Sequence, residues 1–232
     1  MSEEMTLVIP GSVTKWDAIY ASGSDKKYPN LDLVRLEQWF FKRKPGRLLE
    51  YAFGCGENVL HLLECGYTVD GVDASIEAKK TAERKFKNRP DLAARATLRH
   101  LSPELKRLPY EDACFDYVNC LSVLSLLGSK ERAQYLLREF FRVMKPGGKI
   151  IVDINGAESD FAHNAKPLGN DVYESRGHGG SDLPHLSYCL KDAKSFEEIV
   201  RPIFEIDDVG FSWHKYFHSE IQEFIICAHK PV

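Results

Sequence analysis

Residues 47–56 read RLLEYAFGCG, a short apolar run that ends in an acid and then breaks into a glycine-rich turn. A helical pattern of apolar residues follows at once, at Val59, Leu60, Leu62 and Leu63. The glycines let the backbone approach a ligand closely, and the start of a helix offers unpaired N–H groups. The stretch therefore predicts a buried strand, a ligand-binding turn and a helix, an arrangement suited to a nucleotide.

A second acid, Asp73, ends the next apolar run. It lies close to the offset of roughly 20 residues at which a carboxylate reaches a ribose hydroxyl. The first turn follows the pattern Glu50-x-Ala52-x-Gly54-x-Gly56, whereas dinucleotide dehydrogenases usually show G-x-G-x-x-G. The spacing therefore favours a nucleoside cofactor other than a nicotinamide dinucleotide.

The form E/D-x-G-x-G-x-G resembles the first motif of class I S-adenosylmethionine-dependent methyltransferases of the small-molecule type. In that family the strand-end acid and the turn hold the methionine part of the cofactor, and the second acid binds both ribose hydroxyls. This sequence has alanine where the first glycine of the motif is usual. The cofactor-binding residues that this motif implies are Glu50, Ala52, Phe53, Gly54, Gly56, Asp73 and Ala74.

Residues 108–118, LPYEDACFDYV, resemble the L-P-F-x-D-x-x-F-D-x-V signature of many small-molecule methyltransferases. In that family an acid four residues before the Leu-Pro pair accepts a hydrogen bond from the adenine amino group. The resemblance assigns this role to Glu104, where aspartate is usual, and places the backbone N–H of Leu105 against the ring. It also places the sulfonium end of the cofactor near Leu121.

Residues 139–152, EFFRVMKPGGKIIV, resemble the E-x-x-R-V-L-K-P-G-G segment of the same family, whose role is to turn the chain into the fifth strand. Two apolar runs, 204–211 and 221–228, match the antiparallel pair with which the family ends, its last strand inserted between its neighbours. We therefore expect an α/β three-layer sandwich with a Rossmann-like, mostly parallel seven-stranded sheet and an antiparallel C-terminal strand.

We expect residues 1–232 to form a single methyltransferase domain. Its expected parts are N-terminal cap helices over 1–46, a cofactor-binding core over 47–153, a lid or insertion over 154–194, and a C-terminal helix and strand pair over 195–232. Residues 195–198, SFEE, predict a capping box at the start of that helix. The middle of the insertion loses its apolar periodicity, which favours a structureless loop that covers the substrate.

The N-terminal segment contains Trp16, Tyr20, Tyr28 and Arg35, which are candidates to face the cofactor or the substrate. The resemblance implies cofactor contacts for Tyr28 and Arg35. The alternative for the aromatic residues is that they only dock a helix onto the sheet, and for Arg35 that it is a surface charge.

A catalytic base is needed only if the acceptor must lose a proton, so the motifs identify none. The weak candidates are Tyr20 and two histidines of the insertion, His163 and His178. A histidine in a loop is more often a solvated polar residue than a base. No metal site is predicted, because the sequence has no C-x-x-C pair and the insertion's histidines lack the spacing of one helical turn.

The composition is that of an ordinary globular protein, with 44% hydrophobic and 28% charged residues among 232. The net charge of −3 argues against nucleic acid and anionic membranes as partners. No run approaches the roughly 18 apolar residues of a membrane span, and no signal-peptide pattern is present, so the expected location is cytoplasmic. The expected partner is a small-molecule methyl acceptor, and the oligomeric state stays open.

The function that these patterns favour is transfer of a methyl group from S-adenosylmethionine to an O, N, S or C nucleophile of a small molecule. A nicotinamide-dependent oxidoreductase on a similar sheet and a non-catalytic cofactor-binding module are the alternatives. A nucleic-acid methyltransferase is a third, but the chain lacks a base-flipping motif such as N-P-P-Y.

Overall fold

The computed structural model describes residues 5–175, 183–217 and 219–232. Its main sheet has seven strands in the order β3-β2-β1-β4-β5-β10-β9. These strands are β1 (Arg47–Tyr51), β2 (Thr68–Asp73), β3 (Ala96–His100), β4 (Phe115–Cys120), β5 (Met144–Asn155), β9 (Glu205–Tyr216) and β10 (Ser219–His229). A smaller antiparallel sheet contains β6 (Lys166–Gly169), β7 (Val172–Ser175) and β8 (His185–Tyr188).

The helices of the described residues connect these strands and flank the main sheet. They are α1 (Pro10–Ala21), α2 (Leu31–Leu36), α3 (Glu57–Glu64), α4 (Ile76–Phe86), α5 (Pro90–Ala93), α6 (Lys130–Val143), α7 (Asp160–His163) and α8 (Ala193–Val200), with a π-helical turn at Glu37–Phe41 and a 3₁₀ turn at Leu124–Leu127. Within the part of the chain that the structure describes, no helix combines the length and the apolar content that a bilayer span requires.

Strands β1 to β5 pair in parallel, and β10 runs antiparallel to both of its neighbours, β5 and β9. The predicted three-layer sandwich is therefore confirmed, including the last strand inserted between two others. The parallel arrangement brings the carboxyl ends of β1, β2 and β4 to one edge, where ligands of open α/β sheets bind.

The alternation of β1 explains why the sheet is covered on both faces. Leu49 and Tyr51 belong to one buried apolar cluster, with Leu136 of α6. Leu48 belongs to the cluster on the opposite face, with Val59 of α3. Because neighbouring residues of a strand point to opposite faces, a strand that is apolar throughout requires a helix layer on each side.

The insertion is folded, so the prediction of a structureless loop is wrong for its described residues. It contains α7 and the antiparallel sheet β6-β7-β8. The weak periodicity has a physical reason: the three strands have four residues each, β6 is exposed, and β6 and β7 meet at a turn in which Asn170 and Asp171 have positive φ. Backbone hydrogen bonds, rather than an apolar stripe, define the sheet.

The predicted capping box of α8 is also wrong in detail. The helix begins at Ala193, and the side chain of its N-cap Asp192 accepts a hydrogen bond from the Ser195 backbone N–H at 2.8 Å. Aspartate is as good an N-cap as serine. The helix therefore starts earlier than the S-x-x-E pattern indicated.

Glu139 and Arg142 of the E-x-x-R segment, near the end of α6, form a hydrogen-bonded pair that we call the clamp. The guanidinium of Arg142 donates to both carboxylate oxygens of Glu139 at 2.9 and 2.8 Å, and to the carbonyl oxygens of Leu108 and Tyr110 at 3.1 and 2.8 Å. Glu139 in turn accepts from the backbone N–H of Leu108 at 2.8 Å. The clamp fixes the segment before β4 against α6.

Replacing this arginine tests the clamp. Arg142→Lys keeps the charge but removes the planar fork, so we expect the free energy of unfolding to fall by about 2–3 kcal/mol, measured by urea denaturation. Arg201→Lys is the matched control, because Arg201 is a largely exposed residue paired with Glu197. Equal destabilisation by the two variants would contradict a structural role for the clamp.

Candidate active site

The site is built on the turn that follows β1. Ala52, Gly54 and Gly56 all have positive φ, of 59°, 55° and 81°. The Ala52 N–H donates to the Val72 carbonyl oxygen at 2.7 Å, which ties the turn to the end of β2. Helix α3 then begins at Glu57, directly after the turn. Local sequence fixes this shape, since left-handed conformations strongly favour glycine.

Asp73 is the central acid of the site. Its carboxylate is only 8% exposed and accepts backbone hydrogen bonds from Gly54 at 2.8 Å and from Ser75 at 2.7 Å. Burial raises the pKa of Asp73 to about 6, although these two hydrogen bonds oppose the shift. Each carboxylate oxygen keeps a further lone pair with which it can accept from a ligand hydroxyl.

Glu50 is a buried residue of β1, two residues before the turn begins at Ala52. It accepts hydrogen bonds from the side-chain amides of Asn58 at 3.1 Å and Asn119 at 2.8 Å. Burial raises the pKa of Glu50 to about 8. The side chain of Asn58, and not Glu50 itself, borders the cavity above.

A cavity of about 320 Å³ lies above the turn, within the size range of ligand sites. Its floor comes from the carboxyl ends of the parallel strands and its cover from α1 and the loop after it. The lining residues are Val8, Ile9, Ser12, Val13, Trp16, Tyr20, Ser24, Lys26, Tyr28, Pro29, Asn30, Tyr51, Ala52, Phe53, Gly54, Glu57, Asn58, Val72, Asp73, Ala74, Ser75, Leu101, Leu121, Ser122, Val123, Leu126 and Leu127.

Tyr20 of α1 reaches the turn. Its hydroxyl oxygen lies 2.9 Å from the position that a Cβ on Gly54 would occupy. Burial, together with the nearby charge of Asp73, raises the pKa of the Tyr20 phenol well above its usual range. The phenol therefore keeps its proton near neutral pH and can donate a hydrogen bond, but it does not act as a base.

Glu57 is a cavity residue that the sequence motifs did not indicate. Its Oε2 atom is buried and accepts no hydrogen bond from the described residues. Burial raises the pKa of the Glu57 carboxyl. An acid in the first turn of a helix is usually explained by the helix dipole, so its sequence position alone gave no reason to single it out.

Nine of the residues predicted from the sequence border the cavity. They are Trp16, Tyr20, Tyr28, Ala52, Phe53, Gly54, Asp73, Ala74 and Leu121. Two more support it from behind: Glu50, described above, and Gly56, where a Cβ would lie 2.9 Å from the Cβ of Ala82 on α4. The structure thus brings together the first motif, the end of β4 and part of the N-terminal segment.

The other predicted residues do not border this cavity. Glu104 is exposed, and the residue of this segment that borders the cavity is Leu101, directly after β3, and not Glu104 or Leu105. Arg35 is exposed and pairs with Asp32 at 3.2 Å on its own helix. His163 is exposed, with Nδ1 lying 3.9 Å from Glu158 Oε2. His178 lies outside the described residues.

The charge balance of the site fits a cationic nucleoside cofactor. Two buried or half-buried acids, Asp73 and Glu57, border the cavity at the turn, and one oxygen of Glu57 accepts no hydrogen bond from the described residues. The ammonium group nearest in the cavity wall, that of Lys26, belongs to an exposed residue. Lys26 and Lys85 offset the charge of Glu57 in part, and a positively charged ligand with hydroxyl groups would be stabilised further beside Glu57 and Asp73.

Comparison with known proteins agrees with this geometry. Residues 49–152 match the family model of a methyltransferase domain. YqeM of Bacillus subtilis (strain 168), provisionally assigned as a methyltransferase, is 27% identical over 222 residues, which cover 84% of this chain and 86% of the relative. A glycine/sarcosine N-methyltransferase of Halorhodospira halochloris is 25% identical, over 81% of this chain and 70% of the relative.

The fold is also that of solved methyltransferases. The 1,6-didemethyltoxoflavin-N1-methyltransferase of Burkholderia thailandensis superposes with a TM-score of 0.69, over 96% of this chain and 88% of that one, at 14% identity. Its crystals contain 1,6-didemethyltoxoflavin and S-adenosylhomocysteine. The matched domain begins on β1 and ends within β5, so the part of the chain that carries the turn is the part that is similar to the methyltransferase family.

Proposed function

We propose that this enzyme transfers the methyl group of S-adenosylmethionine to a small molecule bound between the turn and α1. The observation that carries this proposal is one cavity with a polar wall that contains an acid and a largely apolar wall. One wall consists of the turn and Asp73, and the other of α1 and the 3₁₀ turn. When bound, the cofactor supplies an electrophilic methyl group, and the protein supplies position, orientation and exclusion of water.

The first wall is proposed to hold the cofactor. Asp73 is suited to the ribose hydroxyls, because it is fixed by two backbone N–H groups and keeps free lone pairs. Glu57 is suited to a hydrogen-bond donor or cationic group of the cofactor, because one of its oxygens lacks a partner among the described residues. Leu101, next to this acid end of the cavity, is proposed to contact the adenine ring in place of Glu104.

The second wall is proposed to hold the methyl acceptor. Val8, Ile9 and Val13 make its α1 side apolar, and Leu126 and Leu127 make its opposite side apolar. Polar side chains, Ser12 and Ser122, interrupt this surface. The wall fits a molecule with an apolar body and few polar atoms. The relatives above act on different small molecules, which supports a small acceptor without identifying it.

Ser122 is held rigidly beside the expected methyl group. Its φ is 61°, and its backbone N–H donates to Asp153 Oδ1 at 2.6 Å. Since Ser122 follows Leu121 at the end of β4, this hydrogen bond fixes the wall against which the acceptor atom would be aligned. In-line displacement at carbon depends on such alignment more than on a protein base.

No base is assigned for the reaction. Tyr20 keeps its proton, and His163 does not border the cavity. In the displacement the acceptor's lone pair forms the new C–X bond, the electrons of the broken C–S bond return to sulfur, and a proton on the acceptor, if present, passes to water.

The cytoplasmic location stays a prediction, as does the absence of nucleic acid as a partner.

The proposed function is tested by transfer of label from S-[methyl-³H]adenosylmethionine to a panel of small amines, phenols, thiols and quinones. We expect label in at least one small acceptor, and an affinity for the cofactor that falls by about 10–100-fold in Asp73→Asn, because hydrogen bonds to a charged group are lost. Asp91→Asn, at an exposed ion pair with Arg89, is the matched control. Label found only in added nucleic acid or protein would contradict the proposal.

The ionisation of Asp73 predicts a pH dependence that adenosine can report, since adenosine carries the ribose hydroxyls without the charged end of the cofactor. The pKa of Asp73 is raised to about 6, so its carboxylate is mostly protonated at pH 5 and mostly ionised at pH 7. Adenosine affinity should therefore rise by about tenfold over this interval, measured by calorimetry. Asp73→Asn should give a flat profile, and Glu50→Gln should keep the rise. A flat profile in the unmodified enzyme would exclude the proposed contact.

The contact between Tyr20 and the turn predicts coupling between two substitutions. Gly54→Ala should weaken cofactor binding, because its Cβ would lie 2.9 Å from the Tyr20 hydroxyl oxygen. Adding Tyr20→Phe removes that oxygen and should restore part of the affinity, so the double-mutant cycle should show a coupling of about 0.5–3 kcal/mol. Tyr216→Phe, at an exposed tyrosine, serves as the control. Strictly additive effects would mean that the two groups do not meet.

A further inference from the structure

A group of metal-ligand side chains lies away from the cavity, at the other end of α3. Glu37, His61 and Cys65 each offer one ligand atom, and these atoms all lie within 4.8 Å of one another. Helix α3 begins at the turn and has eight residues, so its far end is displaced by roughly 12 Å along the helix. The group therefore does not belong to the site described above.

Glu37 is the member that most needs a partner. It is fully buried, and Oε1 accepts a hydrogen bond from the Tyr67 hydroxyl at 2.8 Å. No N–H or O–H of the described residues donates to the buried Oε2 atom, and the group that interacts with this carboxylate from α3 is the Cys65 thiol. Its nearest cation is the Nε atom of Arg43 at 3.6 Å, on a side chain that is 60% exposed. A buried carboxylate oxygen in this state is costly unless a cation binds it.

The backbone around Glu37 is unusual. The residue opens the π-helical turn Glu37–Phe41, closed by a hydrogen bond of 2.8 Å from the Lys42 N–H to the Glu37 carbonyl oxygen. Lys42 and Arg43 then both have positive φ, of 60° and 49°. π-helical turns are rare and are frequent at functional sites. Here the widened turn presents the Glu37 carboxylate to α3.

His61 and Cys65 complete the ligand set with suitable geometry. They are four residues apart, so they lie one above the other on the same face of α3. Cys65 Sγ lies 3.7 Å from His61 Nε2. Bond lengths of 2.3 Å for Zn–S and about 2.05 Å for Zn–N, at a tetrahedral angle, place two such ligand atoms roughly 3.5 Å apart. The observed separation is close to that of a bound pair.

We propose that Glu37, His61 and Cys65 form a zinc site that joins the π-helical turn to the end of α3. Thiolate, imidazole and carboxylate together suit zinc and not magnesium or calcium, which prefer oxygen ligands. On binding, the Cys65 thiol releases its proton to water as the Zn–S bond forms, and a water molecule takes the fourth position. Tyr67 acts as the outer partner that orients Glu37.

The site would add a metal link between two parts of the chain that already share a hydrogen bond of 2.9 Å from the Asn30 N–H to Asn58 Oδ1. Glu37 belongs to the N-terminal segment that precedes β1, whereas α3 begins at the cofactor turn. A metal ion between them would hold the N-terminal segment against the core. It has no part in methyl transfer, so the proposal stands apart from the proposed function.

The test is zinc binding by the full chain after chelator treatment under reducing conditions, followed by competition with a chromophoric chelator. We expect one zinc ion per chain, and an affinity that falls by more than about 100-fold in Cys65→Ser, because loss of an outer partner alone costs about 10–100-fold. Cys114→Ser, at another half-buried free cysteine, and His163→Gln, at an exposed histidine, are the matched controls and should bind normally.

Cobalt binding gives a spectroscopic signal that depends on a bond between the metal and a thiolate, so a loss of stability alone would not produce or remove it selectively. Co²⁺ added to the chelated protein should give a thiolate-to-cobalt charge-transfer band that is absent in Cys65→Ser and present in Cys114→Ser. Glu37→Gln keeps the shape of the buried side chain and its Tyr67 contact, so it should fold, bind adenosine and still lose zinc affinity. Absence of zinc binding in the unmodified chain, or equal loss in the Cys65 and Cys114 variants, would overturn the proposal.

Discussion

One hydrogen bond sets the position of the site, the one that the Gly54 N–H donates to the Asp73 carboxylate at 2.8 Å. Strands β1 and β2 are parallel and paired through Tyr51 and Val72. The turn after β1 therefore stands beside the last residue of β2, and the bond joins two chain segments at the carboxyl edge of the sheet. A buried carboxylate survives there because backbone N–H groups satisfy it. The lone pairs that remain point to where a ligand binds.

The two walls of the cavity depend on different parts of the chain. The cofactor wall depends on the parallel strands. The acceptor wall depends on α1, which the insertion supports from outside: the buried Lys15 amine lies 2.7 Å from His185 Nδ1 on β8. The side chain of Leu186 also packs against the 3₁₀ turn, 3.1 Å from the position of a Cβ on Gly128. Changes in the insertion can therefore alter the acceptor wall through α1, and Tyr20 of the same helix also reaches the turn at Gly54.

Site residues that lie close together along the chain were predictable from the sequence, whereas several side chains whose position depends on tertiary contacts were not. The turn at 52–56 and Asp73 follow from spacing along two consecutive strands, so they were predictable. Arg35 was a candidate from the resemblance and His163 from its residue type, but their side chains lie beside Asp32 and Glu158. Glu104 was placed by a motif, yet the chain after β3 brings Leu101 to the cavity instead.

The features that the sequence did not predict depend on long-range contacts or on backbone geometry, neither of which leaves a local pattern of residues. Lys15 and His185 are 170 residues apart and meet only because the insertion folds onto α1. Glu37 approaches His61 and Cys65 through a π-helical turn, whose widened backbone has no sequence signature comparable to a glycine pattern. The small sheet of the insertion is held by backbone hydrogen bonds, and these leave no periodic pattern of apolar residues in the sequence.

The departure from the family's glycine pattern at residue 52 has a physical explanation. Ala52 has a φ of 59°, a conformation that costs an L-residue roughly 1–2 kcal/mol. The other two left-handed positions do not tolerate a methyl group, since a Cβ would lie 2.9 Å from the Tyr20 hydroxyl at Gly54 and 2.9 Å from the Ala82 Cβ at Gly56. Ala52 borders the cavity and packs against the apolar cluster of Leu49 and Tyr51, so its methyl group is accommodated and the cost is the backbone strain. The hydrogen bond of 2.7 Å from its N–H to Val72 helps to hold that strain. Glycine is thus required at positions 54 and 56, where a Cβ would meet Tyr20 and Ala82, whereas alanine is accepted at position 52.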